Sequence, residues 1–253
     1  RGGERVEPFP FRLCWPRGRS FPCGGPPFVS AVSNPSISSG SRAPEDRAEP
    51  KAPDGAAAGA VTIPAIIPAS GRSRRMGSPK PLLDSGQGTF LARILRSFRE
   101  GGAGLLLVVV RDPEGAVARE ARQEGGRVLE NPDPTPGPVA SLQVGIRHLP
   151  PDAPGVFFCP VDHPLFRPDT VRSMDRTFRD RQPPMVAPSF RGRPGHPVLF
   201  SRDLFPELLE DELPQGARTV VGRYHEERIL VPVDDPGILA DIDTPDDYAR
   251  YFS

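Results

Sequence analysis

From residue 61 onward, short apolar runs rich in β-branched residues alternate with segments of helical period, and this alternation constrains the fold more than any other feature of the chain. The runs at 61–67, 105–110, 127–129, 156–159, 185–188, 198–200 and 228–233 read as strands. Residues 105–110 are continuously apolar, as in a strand buried on both faces. The segments at 90–98, 113–124, 139–149, 168–179, 204–209, 217–224 and 244–251 read as helices. In the first of these, Phe90, Leu91, Ile94, Leu95 and Phe98 recur at helical spacing. The second has Pro113 near its start and Gly125-Gly126 at its stop. Repeated β-α units with apolar strands predict an α/β fold, a Rossmann-like three-layer sandwich with a mainly parallel sheet covered on both faces. Ligands of such folds bind at the carboxyl ends of the strands.

Residues 1–60 have a different composition. They hold 10 of the 35 prolines and 8 of the 26 glycines and show no sustained apolar period. Such a stretch buries too little apolar surface to offset the entropy of ordering it, so it reads as a disordered extension. It has no apolar core of about 7–15 residues after its basic start, as a secretory signal requires. The folded domain is therefore expected at 61–253. The 32 basic and 32 acidic side chains balance, which argues against a protein held to nucleic acid by overall charge. No apolar run is long enough to span a membrane. The three cysteines, Cys14, Cys23 and Cys159, form neither a disulfide framework nor metal-site spacing. A reducing, cytoplasmic setting is the expectation, with Cys159 as plain core.

The first strand-like run leads into Pro68-Ala69-Ser70-Gly71-Arg72-Ser73-Arg74-Arg75-Met76-Gly77-Ser78-Pro79-Lys80. Gly71 and Gly77 permit close backbone approach, and the remaining places are mostly small. Lys80 is the only lysine after residue 60. Backbone N–H groups on such a loop cradle phosphate oxygens, and Arg and Lys balance their charge. A solvated basic turn would have the same composition. The loop ends in no Gly-Lys-Ser/Thr and has no G-x-G-x-x-G, so it is neither a Walker A loop nor a dinucleotide fingerprint.

Two acidic segments stand at expected strand ends. Asp162, in Pro160-Val161-Asp162-His163-Pro164, follows the run at 156–159, where a hard oxygen ligand would hold Mg²⁺. A turn or cap role is the alternative, and His163 reads as a base or, more simply, a structural hydrogen-bonder. In Asp241-Ile242-Asp243-Thr244-Pro245-Asp246-Asp247, Asp241 and Asp243 share one face of an extended segment. Thr244 as N-cap and Pro245 at the first helical position explain the rest locally. The arginines of 172–181 alternate with acids and read as a solvated helix face.

The first loop resembles the L-A-A-G-x-S-x-R-M-G-x-x-K signature of MobA-like NTP transferases, through Ala69, Gly71, Ser73, Arg75, Met76, Gly77 and Lys80. Pro68 replaces the usual Leu. Ser70 stands where cytidylyl enzymes carry Ala and guanylyl enzymes Gly. Asp162 matches the family's strand-end D-x-P, and residues 241–247 match its D-I-D-T-P-E-D ending. Gly195-His196-Pro197, Gly216-Ala217-Arg218 and the Gly137–Leu142 stretch resemble further family segments, in the expected order. The resemblance implies a nucleotide-diphospho-sugar transferase-like fold. It implies catalytic roles for Arg75, Lys80 and Asp162. Ala69, Ser70, Gly71, Ser73, Gly77 and Ser141 would bind nucleotide, and His196 and Arg218 the acceptor. Mg²⁺ would sit on Asp162 with Asp243, preferred over Asp241. The implied reaction moves an NMP, best CMP from CTP (GTP being the other donor), onto a small phosphorylated acceptor such as molybdopterin, releasing pyrophosphate. A sugar phosphate acceptor and a non-catalytic nucleotide-binding or cofactor-chaperone protein are the alternatives.

Overall fold

The computed structural model describes residues 61–71, 78–133 and 137–252. The extension expected at 1–60 lies outside them. The order of elements is β1 (Ala65–Pro68), α1 (Phe90–Glu100), β2 (Leu106–Val110), α2 (Ala116–Gln123), β3 (Arg127–Glu130), α3 (Pro138–Arg147) and β4 (Gly155–Phe158). There follow α4 (Pro168–Arg181), β5 (Met185–Phe190), β6 (Arg193–Pro194), β7 (Val198–Ser201), α5 (Phe205–Leu208), α6 (Ala217–Arg223), β8 (Ile229–Pro232) and α7 (Pro245–Phe252).

The eight strands form one sheet in the order β3-β2-β1-β4-β7-β5-β6, with β8 pairing β5. β3, β2, β1 and β4 are mutually parallel, as is β8 with β5. β7 runs antiparallel to both β4 and β5. The mainly parallel α/β sandwich is thus present, with an antiparallel insertion beyond β4. The strands bury both faces. Ala65 and Ile67 of β1 join one core with α1, α2 and α4, while Ile66 joins a second core with α3, α5 and α6. The same alternation separates Val108 from Leu107 and Val109 in β2, and Phe157 from Val156 and Phe158 in β4. Cys159 is fully buried in the first core.

Local chemistry sets the element ends. β1 starts at Ala65 rather than at 61, because Pro64 has no N–H to give a ladder. α2 starts at Ala116, three residues later than its pattern suggests, because Asp112 Oδ1 accepts the Glu114 N–H at 3.0 Å and holds Pro113 and Glu114 in a turn. Thr89 caps α1 by accepting the Ala92 N–H at 3.0 Å. Thr244 caps α7 as expected: its hydroxyl accepts from Asp247 N at 3.2 Å, and Asp247 Oδ2 accepts from Thr244 N at 3.0 Å. The solvated face of α4 carries the pairs Arg172–Asp169 and Arg179–Asp175. The 3₁₀ turn Lys80–Leu82 and the two-residue β6 have no clear signal in the sequence. Among the described residues, no helix is long and apolar enough to cross a membrane.

α3 lies so close to β1 that a Cβ on Gly145 would stand 2.5 Å from Ile66 Cδ1 and 2.6 Å from its Cγ1. Ile66 is fully buried. Gly145→Ala is therefore expected to destabilise the fold by about 1–3 kcal/mol, the scale of an overpacked core. A urea melt checks this, and an unchanged midpoint would show that α3 shifts freely on the sheet.

Candidate active site

The carboxyl ends of β1 and β4 face the same edge of the sheet. β1 ends at Pro68, and the Ala69 N–H continues toward β2 with a bond of 2.8 Å to Val109 O. Ala69 and Ser70 are buried, and Gly71 is exposed. Arg75, Ser73 and Gly77 lie outside the described residues. Lys80 opens the 3₁₀ turn that follows, and its ammonium donates to Asp243 Oδ1. The Lys80 side chain is only 14% exposed and that of Asp243 50%, so the lysine is held from below while the carboxylate meets solvent.

One backbone bond joins the two acidic segments. The Ile242 N–H donates to Asp162 O at 3.0 Å. Ile242 is fully buried, so the acids on either side of it are turned away from the core. Asp241 is thereby brought to Asp162 and His163, with one ligand atom from each lying within 4.8 Å of the others. Sequence reasoning preferred Asp243 as the partner of Asp162. The geometry groups Asp241 there instead and gives Asp243 to Lys80. Burial raises the Asp241 pKa above its usual range, and the negative charges of Asp162 and Asp243 add to this against the positive fields of His163 and Lys80. Asp162 Oδ1 is itself buried without a hydrogen-bond partner. A buried orphan carboxylate oxygen beside a second acid fits a divalent cation.

His163 was considered only as a base or a structural hydrogen-bonder. Its Nδ1 is 2.8 Å from Ala240 O, and its ring lies against His196 with centroids 4.1 Å apart. His196 sits in a segment pressed onto the main chain at residue 238. A Cβ on Gly195 would come within 2.2 Å of Ile238 O, and His196 N–H donates to the same oxygen at 2.9 Å. Burial pushes the His196 pKa from 6.5 down to about 3, with His163 and Arg218 adding to the shift and a bond to the Phe158 main chain opposing it. His196 is therefore neutral near pH 7 and offers a ligand a hydrogen bond, not a charge.

Asp162, His163, Asp241, Asp243, His196 and Arg218 all line one cavity of about 820 Å³. Arg218 projects from the first turn of α6, which Gly216 at φ 59° makes possible. Arg228 also lines the cavity, and nothing about its place in the sequence singled it out. Ser70 and Ser141 meet as well. Their hydroxyls are 2.9 Å apart, and Asn131 Nδ2 donates to Ser141 Oγ at 3.1 Å. All three are buried, so the end of β1, the end of β3 and α3 share one polar knot. A lone Asn after a strand gave no warning of this.

The profile of the MobA-like NTP transferase domain matches residues 65–228. A molybdenum cofactor cytidylyltransferase of Escherichia coli (strain K12) is 27% identical over 188 residues, which is 74% of this chain and 93% of that one. A molybdenum cofactor guanylyltransferase of Rhizobium meliloti (strain 1021) is 33% identical over 165 residues, 63% of this chain and 70% of that one. The crystal structure of Rv0371C from Mycobacterium tuberculosis H37Rv, in complex with manganese, superposes with a TM-score of 0.60 at 27% identity, over 76% of this chain and 98% of that one.

Proposed function

The chain belongs to the MobA-like NTP transferase domain family and is a nucleotidyltransferase, and from that premise we propose that residues 61–253 move CMP from CTP onto a small phosphorylated acceptor, with molybdopterin the leading choice. The single observation carrying this reading is the meeting of the two acidic segments on the wall of a cavity large enough for an acceptor, with Lys80 donating to Asp243 of that wall. Ligand sites of about 300–1,000 Å³ are the usual size.

In the proposed reaction an acceptor phosphate oxygen attacks the α-phosphorus of the nucleotide in line. The new O–P bond forms as the bond to the β-phosphate oxygen breaks, and pyrophosphate leaves. The protein works by positioning and charge, with no covalent intermediate. Ala69, Ser70, Gly71, Ser73, Gly77 and Ser141 hold the nucleotide, and Arg75 and Lys80 balance the charge on the leaving pyrophosphate. His196 and Arg218 receive the acceptor, Arg218 by charge and His196 by hydrogen bonding. Asp162 and Asp241, with Asp243 beside them, hold a divalent cation, with Mg²⁺ as the expected ion. When bound, the cation supplies positive charge to the phosphates.

GTP is the second candidate donor. It is favoured by the likeness to a guanylyltransferase, while Ser70, neither the Ala nor the Gly of the two subtypes, favours neither donor. A thermal-shift panel of ATP, CTP, GTP and UTP on the full chain, with and without Mg²⁺, tests the donor. CTP with Mg²⁺ at 100 times its Kd is expected to stabilise the protein by about 2.7 kcal/mol. A shift with GTP alone would reassign the donor, and no shift with any of the four would sink the nucleotide reading.

A further inference from the structure

Asp162, His163 and Asp241 converge on the cavity wall, each offering one ligand atom within 4.8 Å of the others. His163 is held from behind: Ala240 O, 2.8 Å from Nδ1, only accepts, so Nδ1 donates to it and Nε2 is the ring nitrogen turned to the carboxylates. The ring also lies against His196, tilted by 32°. Nε2 stands 3.7 Å from Asp162 Oδ1, outside hydrogen-bond range, and that oxygen is buried with no hydrogen-bond partner. Two carboxylates and an imidazole nitrogen facing one another form a ligand set for a cation.

An oxygen-only site suits Mg²⁺, whereas an imidazole nitrogen is a ligand that first-row transition ions take readily. We propose that His163 is a cation ligand alongside Asp162 and Asp241, and that its nitrogen makes the site bind Mn²⁺ more tightly than Mg²⁺. The proposal rests on the reading of Asp162 as a metal-binding residue. The backbone bond from Ala240 O is then the outer support that orients this ligand, as carbonyls commonly do for metal-bound histidines.

The test uses the full chain and Mn²⁺ alone, with binding read from the EPR signal of the free ion and Mg²⁺ measured by competition. Pulsed EPR of the bound ion is expected to show modulation from a directly coordinated ¹⁴N. In His163→Gln that modulation disappears and Mn²⁺ affinity falls by at least about 10–100-fold, the cost of losing even a group that supports a metal ligand, while Mg²⁺ affinity changes far less. The nitrogen signal is read on the unmodified chain, so its absence there overturns the role of His163 even if His163→Gln folds poorly. Mn²⁺ bound in an Asp162-dependent manner without ¹⁴N modulation, or with modulation that persists in His163→Gln, overturns the role of His163 alone. No Mn²⁺ binding, or binding indifferent to Asp162→Asn, overturns the cation reading of Asp162 as well.

Discussion

Lys80→Ala is expected to slow pyrophosphate release by about 10²–10³-fold, the cost of removing one group that stabilises transition-state charge. The structure makes this variant interpretable. The Lys80 side chain is nearly buried, and its ammonium lies on Asp243, whose carboxylate is half exposed. Removing the lysine leaves that carboxylate in contact with water, so the fold should persist with an unchanged circular dichroism spectrum. With one partner half exposed the pair contributes only modestly to stability, and the loss should therefore fall mainly on turnover. Lys80→Arg is expected to recover only part of the rate, because a planar guanidinium does not replace a compact ammonium on a short 3₁₀ turn. Near-normal turnover in Lys80→Ala would show that the pairing with Asp243 is structural and that the leaving pyrophosphate is stabilised elsewhere.

Asp162→Asn is expected to cut turnover by a similar ~10²–10³-fold while leaving thermal stability unchanged or raised. The two effects have one cause. Asp162 Oδ1 is buried, has no hydrogen-bond partner and stands close to Asp241. Crowding of that kind is a cost to the fold that only a ligand relieves. The amide removes the negative charge at almost unchanged volume, which eases the repulsion on Asp241 and removes the cation ligand together. The check is a paired measurement of turnover and melting temperature without added metal. A variant that lost both stability and activity would mark Asp162 as a structural turn residue. One that kept its activity would remove it from the mechanism.

Most of the elements were legible because burial writes a period into the sequence. β2 is apolar at every position because helices cover both faces of the sheet. α1 carries its apolar residues on one stripe because only one side meets the sheet. The antiparallel insertion was not legible. β5 and β7 are as apolar as the parallel strands, and an apolar run does not state the direction of its neighbour. The late start of α2 was hidden for a different reason, since a side chain of Asp112 captured an N–H that the helical pattern had assigned to the first turn.

The sequence alone determined the α/β class, the order of the elements, the loop after the first strand and the two acidic segments. These are local facts, carried by residue type and spacing within a few turns of chain. Only the tertiary structure decided which groups meet: Asp241 rather than Asp243 beside Asp162, Lys80 on Asp243, Ser70 on Ser141, and the His163 ring on a carbonyl 77 residues away. The meeting of the two acidic segments depends on one backbone bond from Ile242 to Asp162. Such contacts arise from how separate segments pack together, and no spacing within either segment encodes them.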